Sequence, residues 1–301
     1  MSGTPTRGVT IRLFLVDGTP HGLRLVERAS WTGVMLAFSR ADYAAARQRD
    51  EFARTGAYVL VGPDPDGPRG HRVYVGESDV VGGRLDRHQR EKDFWTHGYV
   101  LTTKDDSLNK AHVRYLEARL LQLAAAADNA SVENGTTPPV LRLSEPEVAE
   151  METYLDNVLP LFGVVGVDVF TPADEDGVET HGDETADRAA APSAPRLYLR
   201  RPLTDAEGED RASGFLVFEG SLGRRQPTPS LMEAYRQMRD RLVHEGVLVE
   251  AGEQLRLTKS YLFDSPSAAA SVLCGAQKNG RTEWKDAAGV TLRELQARSA
   301  T

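Results

Sequence analysis

HRVYVGESDVVGGRLDRH, residues 71–88, is the stretch on which the reading of this chain turns. Its first half is strand-like as far as Gly76, where a glycine marks the break. Its second half sets Arg84 and His88 four residues apart, which puts them on one face of a helix. A strand that runs into a helix brings Tyr74, Arg84 and His88 within reach of one another. An arginine offers a planar fork suited to a phosphate. A histidine can take or relay a proton near neutral pH.

Outward from this stretch, TGAYVLVG (55–62) predicts a strand over 57–61, and its alternation can put Tyr58 on the face of Tyr74. PDPDGPRG (63–70) holds three prolines and interrupts the two strands as the loop of a hairpin. GGRLDRHQREKDF (82–94) reads as a helix and HGYVLTTKD (97–105) as a third strand. SLNKAHVRYLEARLLQLAAAAD (107–128) reads as a long helix with Ser107 as its N-cap, and a further helix is expected over 146–159. Upstream, VTIRLFLVDGTPHGLRLVERA (9–29) holds two strand-like runs around the turn at 17–20. GVMLAFSR (33–40) predicts a third strand, and ADYAAARQRDEF (41–52) a short helix capped by Ser39 or Asp42. The expected fold class is α/β (α+β), a small mixed sheet flanked by helices.

The chain has 301 residues, 40% hydrophobic and 27% charged, which fits a globular protein and excludes a collagen-like or wholly disordered one. No apolar run is long enough to span a bilayer, and the first residues lack the pattern of a signal peptide. Cys274 is the single cysteine, so an internal disulfide is excluded, and a reducing cytoplasm is the expected compartment. The net charge of −8 divides unevenly: −4 over residues 1–170, −6 over 171–195 and +2 over 196–301. Most of the acidity therefore sits in one segment, and it does not exclude a phosphate-bearing partner elsewhere. Four regions are expected: a β-rich start (1–52), a mixed unit (53–170), an acidic disordered linker (171–195) and a second α+β domain (196–301).

In the long helix, Val113, Leu116, Leu120, Leu123 and Ala127 make an apolar stripe, and Glu117 lies just inside its edge. A carboxylate facing a core needs a partner. Two readings stand, a salt-bridged or snorkelling glutamate and a metal ligand. A tyrosine is a poor base unless nearby cations favour its phenolate, and Arg84 with a metal on Glu117 would do so. Tyrosine, arginine, histidine and one metal-binding carboxylate together suit phosphodiester hydrolysis.

Roughly residues 55–140 resemble the GIY-YIG nuclease family. GAY (56–58) stands where that family has its first tripeptide and YVG (74–76) where it has the second. Arg84 has the spacing of the family's arginine, His88 follows one helical turn later, and Glu117 in RYLEARLL matches its metal-binding glutamate. The family's asparagine corresponds to Asn134, with Asn129 as the other option. Ala57 replaces a bulky residue, and the interval between the tripeptides is longer than usual because of the loop at 63–70, which can shape substrate access through Arg69, His71 and Arg72. The resemblance implies a metal-dependent endonuclease acting on DNA. Glu117 would hold one Mg²⁺ or Mn²⁺, Tyr58 or Tyr74 would act as base, and Arg84 would stabilise charge on phosphorus. Its setting is expected to be restriction or defence, with repair or mobile-element processing also open. A homodimer on DNA and a defence-system partner protein are further expectations. A non-catalytic nucleic-acid-binding protein on the same fold, or an RNase or toxin, are the rival readings.

SPSAAASVLCGAQKNGRTEWKDAAGVTLREL (265–295) resembles a small C-terminal domain found after such nuclease modules and in restriction-modification proteins. Lys278, Arg281, Trp284 and Lys285 are candidate nucleic-acid contacts, with Arg72 and Arg87 in the first module. The alternative for Trp284 is a core residue, and Cys274 reads as a small buried hydrophobe.

Overall fold

The computed structural model describes residues 8–64, 70–136, 138–171, 195–212 and 214–299. The expected linker, its two end residues apart, and Arg69 of the hairpin loop lie outside the described residues. The chain divides into two compact units, residues 1–170 with 296–301, and residues 171–295. It is a mixed α+β protein with two seven-stranded sheets and, among the described residues, eight helices. None of these helices is long and apolar enough to cross a membrane.

The first unit opens with β1 (Ile11–Leu15), β2 (Arg24–Arg28) and β3 (Gly33–Ser39). Helix α1 (Tyr43–Arg47) and a 3-10 turn (Asp50–Ala53) lead to β4 (Gly56–Pro63), β5 (His71–Ser78), α2 (Val81–Glu91) and β6 (His97–Thr103). Then come α3 (Lys110–Ala127), β7 (Ser131–Val132) and α4 (Glu145–Val164). The sheet order is β1-β2-β3-β6-β4-β5-β7, antiparallel except for the β5–β7 pair. The β-rich start is thus part of the same sheet as the motif strands, because β3 pairs along its whole length with β6.

Both faces of this sheet are covered, which is why β3 and β4 read as unbroken apolar runs. One face carries Met35, Val59, Val75 and Leu101 against Val113, Leu116 and Leu120 of α3 and Leu155 and Val158 of α4. The other carries Phe38, Tyr58, Leu60 and Val100 against Tyr43, Phe52, Trp95 and the α2 residues Val81 and Leu85.

Several helix limits differ from the sequence expectation: the one helix expected over 41–52 is split into α1 and the 3-10 turn, and α2 ends at Glu91. Helix α3 begins at Lys110 because Asn109, not Ser107, caps it: the Asn109 side chain accepts from the amides of Ala111 and His112. Ser107 instead donates to Asp105. Helix α4 runs five residues past 159, opened by a capping box between Ser144 and Glu147.

The second unit holds β8 (Leu197–Arg201), β9 (Thr204–Arg211), β10 (Gly214–Val217) and β11 (Leu222–Arg224). Helix α5 (Glu233–His244) precedes β12 (Leu248–Ala251), β13 (Gln254–Leu257) and β14 (Tyr261–Phe263). Helices α6 (Pro266–Cys274), α7 (Gly280–Glu283) and α8 (Leu292–Ser299) close the chain. The sheet runs β12-β13-β11-β9-β10-β14, with β8 also on β9. Helix α6 is apolar all round and buried from Ala268 to Cys274, so the cysteine packs as a small hydrophobe.

Candidate active site

Four elements bring the candidate residues together: β4 carries Tyr58, β5 Tyr74, α2 Arg84 and His88, and α3 Glu117. In the β4–β5 register Tyr58 faces Gly76 and Leu60 faces Tyr74. The two tyrosines are therefore diagonal neighbours on one face, with ring centroids 6.3 Å apart. Glycine at 76 is a packing requirement, because a Cβ there would collide with the Tyr58 hydroxyl. Gly56 is likewise confined: its Cβ would lie 2.5 Å from the Leu101 carbonyl oxygen of β6. Substituting Gly76→Ala is expected to displace the buried Tyr58 ring and destabilise the unit by about 1–3 kcal/mol. A urea titration followed by circular dichroism measures that loss.

His88 shares the buried face of α2 with Val81 and Leu85 and is 3% exposed. Its Nε2 lies 2.9 Å from Tyr58 Oη, and its ring meets Tyr74 edge-on with centroids 4.9 Å apart. Its Nδ1 is buried and has no hydrogen-bond partner among the described residues. Burial, then the charges of Lys92, Arg87 and Arg84, push its pKa down to about 4. The imidazole is therefore neutral at pH 7 and a weak base, suited to orienting Tyr58 more than to storing a proton.

This depression has a stability consequence. The unfolded chain binds a proton at position 88 near pH 6.5, and the folded one only near pH 4. The stability tied to His88 is complete above about pH 6.5 and falls as the pH drops toward 4, by roughly 2–3 kcal/mol. His88→Gln, which can still bond Tyr58, is expected to lose less stability than wild type between about pH 7 and pH 4.5. Urea midpoints at the two pH values check it.

Tyr58 is fully buried and Tyr74 half-buried. Burial raises the pKa of both, and at Tyr58 the neighbouring Tyr74 adds to the rise. Arg84 pulls both down, but less strongly. Arg84 acts in the expected direction, and by itself it is outweighed by desolvation; the expectation joined it to a metal on Glu117. Lys92 was missed in the sequence. Its Nζ stands 4.4 Å from the Tyr74 ring centroid, and its spacing of four from His88 and eight from Arg84 was the available signal.

Glu117 is half-buried on α3 and its pKa is raised by burial first and by Glu77 second, against Arg84, Lys110 and Arg114. Its charge also acts on Tyr74, so it reaches the tyrosine cluster although α3 packs on the opposite face. The edge of β5 explains this. On the side of β5 away from β4, β7 pairs only with Arg72 and Val73, and no described strand continues along that side beside Gly76 and Glu77. Glu77 alternates onto the α3 face, where Lys110 Nζ holds its carboxylate at 2.8 Å and that of Asp79 at 3.3 Å.

No group of three or more His, Cys, Asp or Glu side chains forms a metal cage among the described residues. Mg²⁺ does not need one, since it keeps several waters and takes one or two carboxylates. Glu117, half-buried and strained by Glu77, is a carboxylate that a cation would relieve, so the donor set fits such an ion.

Asn134 is bound to the backbone of β5. Its side-chain oxygen accepts from the Val75 amide at 3.0 Å and its Nδ2 donates to the Val75 carbonyl at 2.8 Å. It extends the ladder beyond β7 and holds β5 beside Tyr74, so it is a positioning residue. Asn129, the other option, donates to the Asp168 carbonyl.

The nucleic-acid candidates sort by burial. Arg72 is matched by Asp64 at 2.9 Å and Glu133 at 3.3 Å. Arg87 is exposed, with Glu91 3.6 Å away. In the second unit Trp284 is 0% exposed, stacks at 4.5 Å from Phe215, and donates to the Pro266 carbonyl. Arg281 is 3% exposed. Both are corrected from contacts to core residues: α7 turns their side chains inward against α6. Lys278 is half-buried near Glu283, and Lys285 is exposed.

No curated protein and no solved structure matches the chain. Residues 197–296, about a third of the chain, match a family described as a domain of unknown function, DUF4357, and the match runs from β8 into α8 of the second unit's sequence.

Proposed function

We propose that the first unit is a GIY-YIG-type nuclease that hydrolyses DNA phosphodiester bonds with one divalent metal ion. The observation that carries this reading is the packing of Tyr58, Tyr74 and His88 from β4, β5 and α2 on one face, with the charges of Arg84 and Glu117 both acting on Tyr74. Arg84 is exposed and has no ion-pair partner among the described residues, which suits a group that waits for an anion.

Glu117, aided by Glu77, would hold Mg²⁺ or Mn²⁺, which when bound supplies Lewis-acid stabilisation of phosphate and leaving oxygen. Arg84 binds a non-bridging phosphate oxygen and stabilises the charge that builds on it. Tyr74, the tyrosine nearer solvent, would act as its phenolate, taking the proton of the attacking water and becoming the neutral phenol. His88 orients Tyr58 from the other side. Lys92 stands over the Tyr74 ring, and Arg84 and Arg87 favour the phenolate form that would accept this proton. One such site cuts one strand, so double-strand cleavage requires two chains.

The raised tyrosines favour one alternative, a binding protein on the same fold that does not cut. Supercoiled plasmid separates the two. Nicking that requires Mg²⁺ or Mn²⁺, stops with chelator and prefers DNA over structured RNA supports the nuclease. Retention of plasmid without nicking under every metal supports the binding protein.

A further inference from the structure

The second unit contains a hollow of about 420 Å³, and of the candidate nucleic-acid contacts named from the sequence only Lys285 lines it. Tyr198 of β8 and Lys285 after α7 form a two-way backbone bridge, Tyr198 N–H to Lys285 C=O at 2.7 Å and Lys285 N–H to Tyr198 C=O at 3.0 Å. Directly bridged residues project to the same side. Arg200, two residues along β8, projects there as well, while Leu197 and Leu199 alternate into the core. An aromatic ring, a guanidinium and an ammonium thus line one face by register alone.

The acids beside them are already engaged. Glu283 pairs with Arg201 at 2.8 Å and Lys278 at 3.8 Å. Asp286 accepts from the amides of Ala288 and Val290, both at 2.9 Å, and so closes the rim turn. Arg200 lies 5.1 Å from the Tyr198 ring centroid, extending the stackable surface. Its ion pair with Asp205 is long, 3.8 Å, and both side chains are exposed, so it competes weakly with a ligand. Lys285 has no ion-pair partner among the described residues. The lining residues Ala287 and Gly289 are exposed and small, leaving the hollow open to a flat group.

We propose that this hollow binds single-stranded nucleic acid, with a phosphate on Arg200 and Lys285 and a base stacked on the Tyr198–Arg200 layer. Phosphate contact by paired cations beside a stacking ring is the chemistry that single strands require. The inference rests on the second unit alone and stands whether or not the first unit cuts DNA. It moves the contact surface from Trp284 and Arg281, which are core, to Tyr198, Arg200 and Lys285.

The test uses the full chain in chelator, so that no cleavage intervenes, and a fluorescein-labelled thymidine dodecamer read by anisotropy. Arg200→Ala with Lys285→Ala is expected to weaken binding by about tenfold or more and to reduce the salt slope by roughly 1. Tyr198→Ala is expected to weaken it by about fivefold or more, with Tyr198→Phe retaining affinity. The same dodecamer carrying 5-iodouracil, irradiated on the wild-type chain, is expected to yield an adduct on the Tyr198 peptide. Adducts confined to other peptides, or affinities of the Ala variants within about twofold of wild type, overturn the site. Both changed side chains of the double variant are exposed, and a matching thermal melt establishes that it folds. Metal-dependent nicking is read separately, so failure here and failure of the nuclease reading are distinguishable.

Discussion

Glu117→Gln is expected to abolish metal-dependent nicking, by about a thousandfold or more, while the unit folds as stably as wild type or slightly more so. The two halves of that outcome come from the same physical cause. Glu117 is half-buried, its carboxylate is desolvated, and Glu77 adds a like charge, so the ionised form is held at a disadvantage. Glutamine has nearly the same volume and removes the charge, so it relieves the fold and removes the metal ligand together. A purely structural glutamate would behave in the opposite way: its loss would leave Arg84, Lys110 and Arg114 less balanced and would lower stability. Plasmid nicking in Mg²⁺ and Mn²⁺, set beside a urea titration of the same sample, reads both. Nicking near the wild-type rate would remove Glu117 from the site and with it the single-metal mechanism.

What the sequence made legible depended on whether the information was local. The alternation from His71 located β5, which runs two residues past the expected break at Gly76, and Arg84 and His88 stand one turn apart on α2. Strand pairing is not local. That β6 inserts between β3 and β4, joining the β-rich start to the motif strands, follows from contacts distant in sequence and leaves no periodic mark. The same limit hid Glu77, Lys110 and Lys92. Each is an ordinary surface-type residue in the sequence, and each acquires meaning only where the edge of β5 meets α3 and the end of α2.

Charged and aromatic residues in the second unit misled for a related reason. A run such as NGRTEWK shows a tryptophan among polar neighbours, which reads equally as a stacking surface or a core anchor. The close approach of α6 and α7 decides it. Gly280 has no room for a Cβ against the Pro266 backbone, and that contact seats Trp284 Nε1 on the Pro266 carbonyl. Tyr198, by contrast, stands in an unremarkable LYLRR, and only its bridge to Lys285 reveals what it faces.

Arg84 gives the second large effect. Arg84→Ala is expected to reduce nicking by about a hundredfold to a thousandfold with stability unchanged within about 0.5 kcal/mol. Arg84→Lys is expected to recover only part of the loss. The side chain is exposed, has no ion-pair partner among the described residues, and projects from the helix turn before His88, so its truncation opens no cavity. Its charge nonetheless acts on Tyr58, Tyr74, His88 and Glu117 alike, which makes it the electrostatic centre of the cluster. Lysine keeps that charge but lacks the planar fork that meets two phosphate oxygens at once, so the Ala and Lys variants separate field from geometry. A lysine variant as active as wild type would mean that only the field matters and that Arg84 tunes Tyr74 without touching phosphate. An alanine variant as active as wild type, with plasmid still bound, would transfer the reading to the protein that binds without cutting.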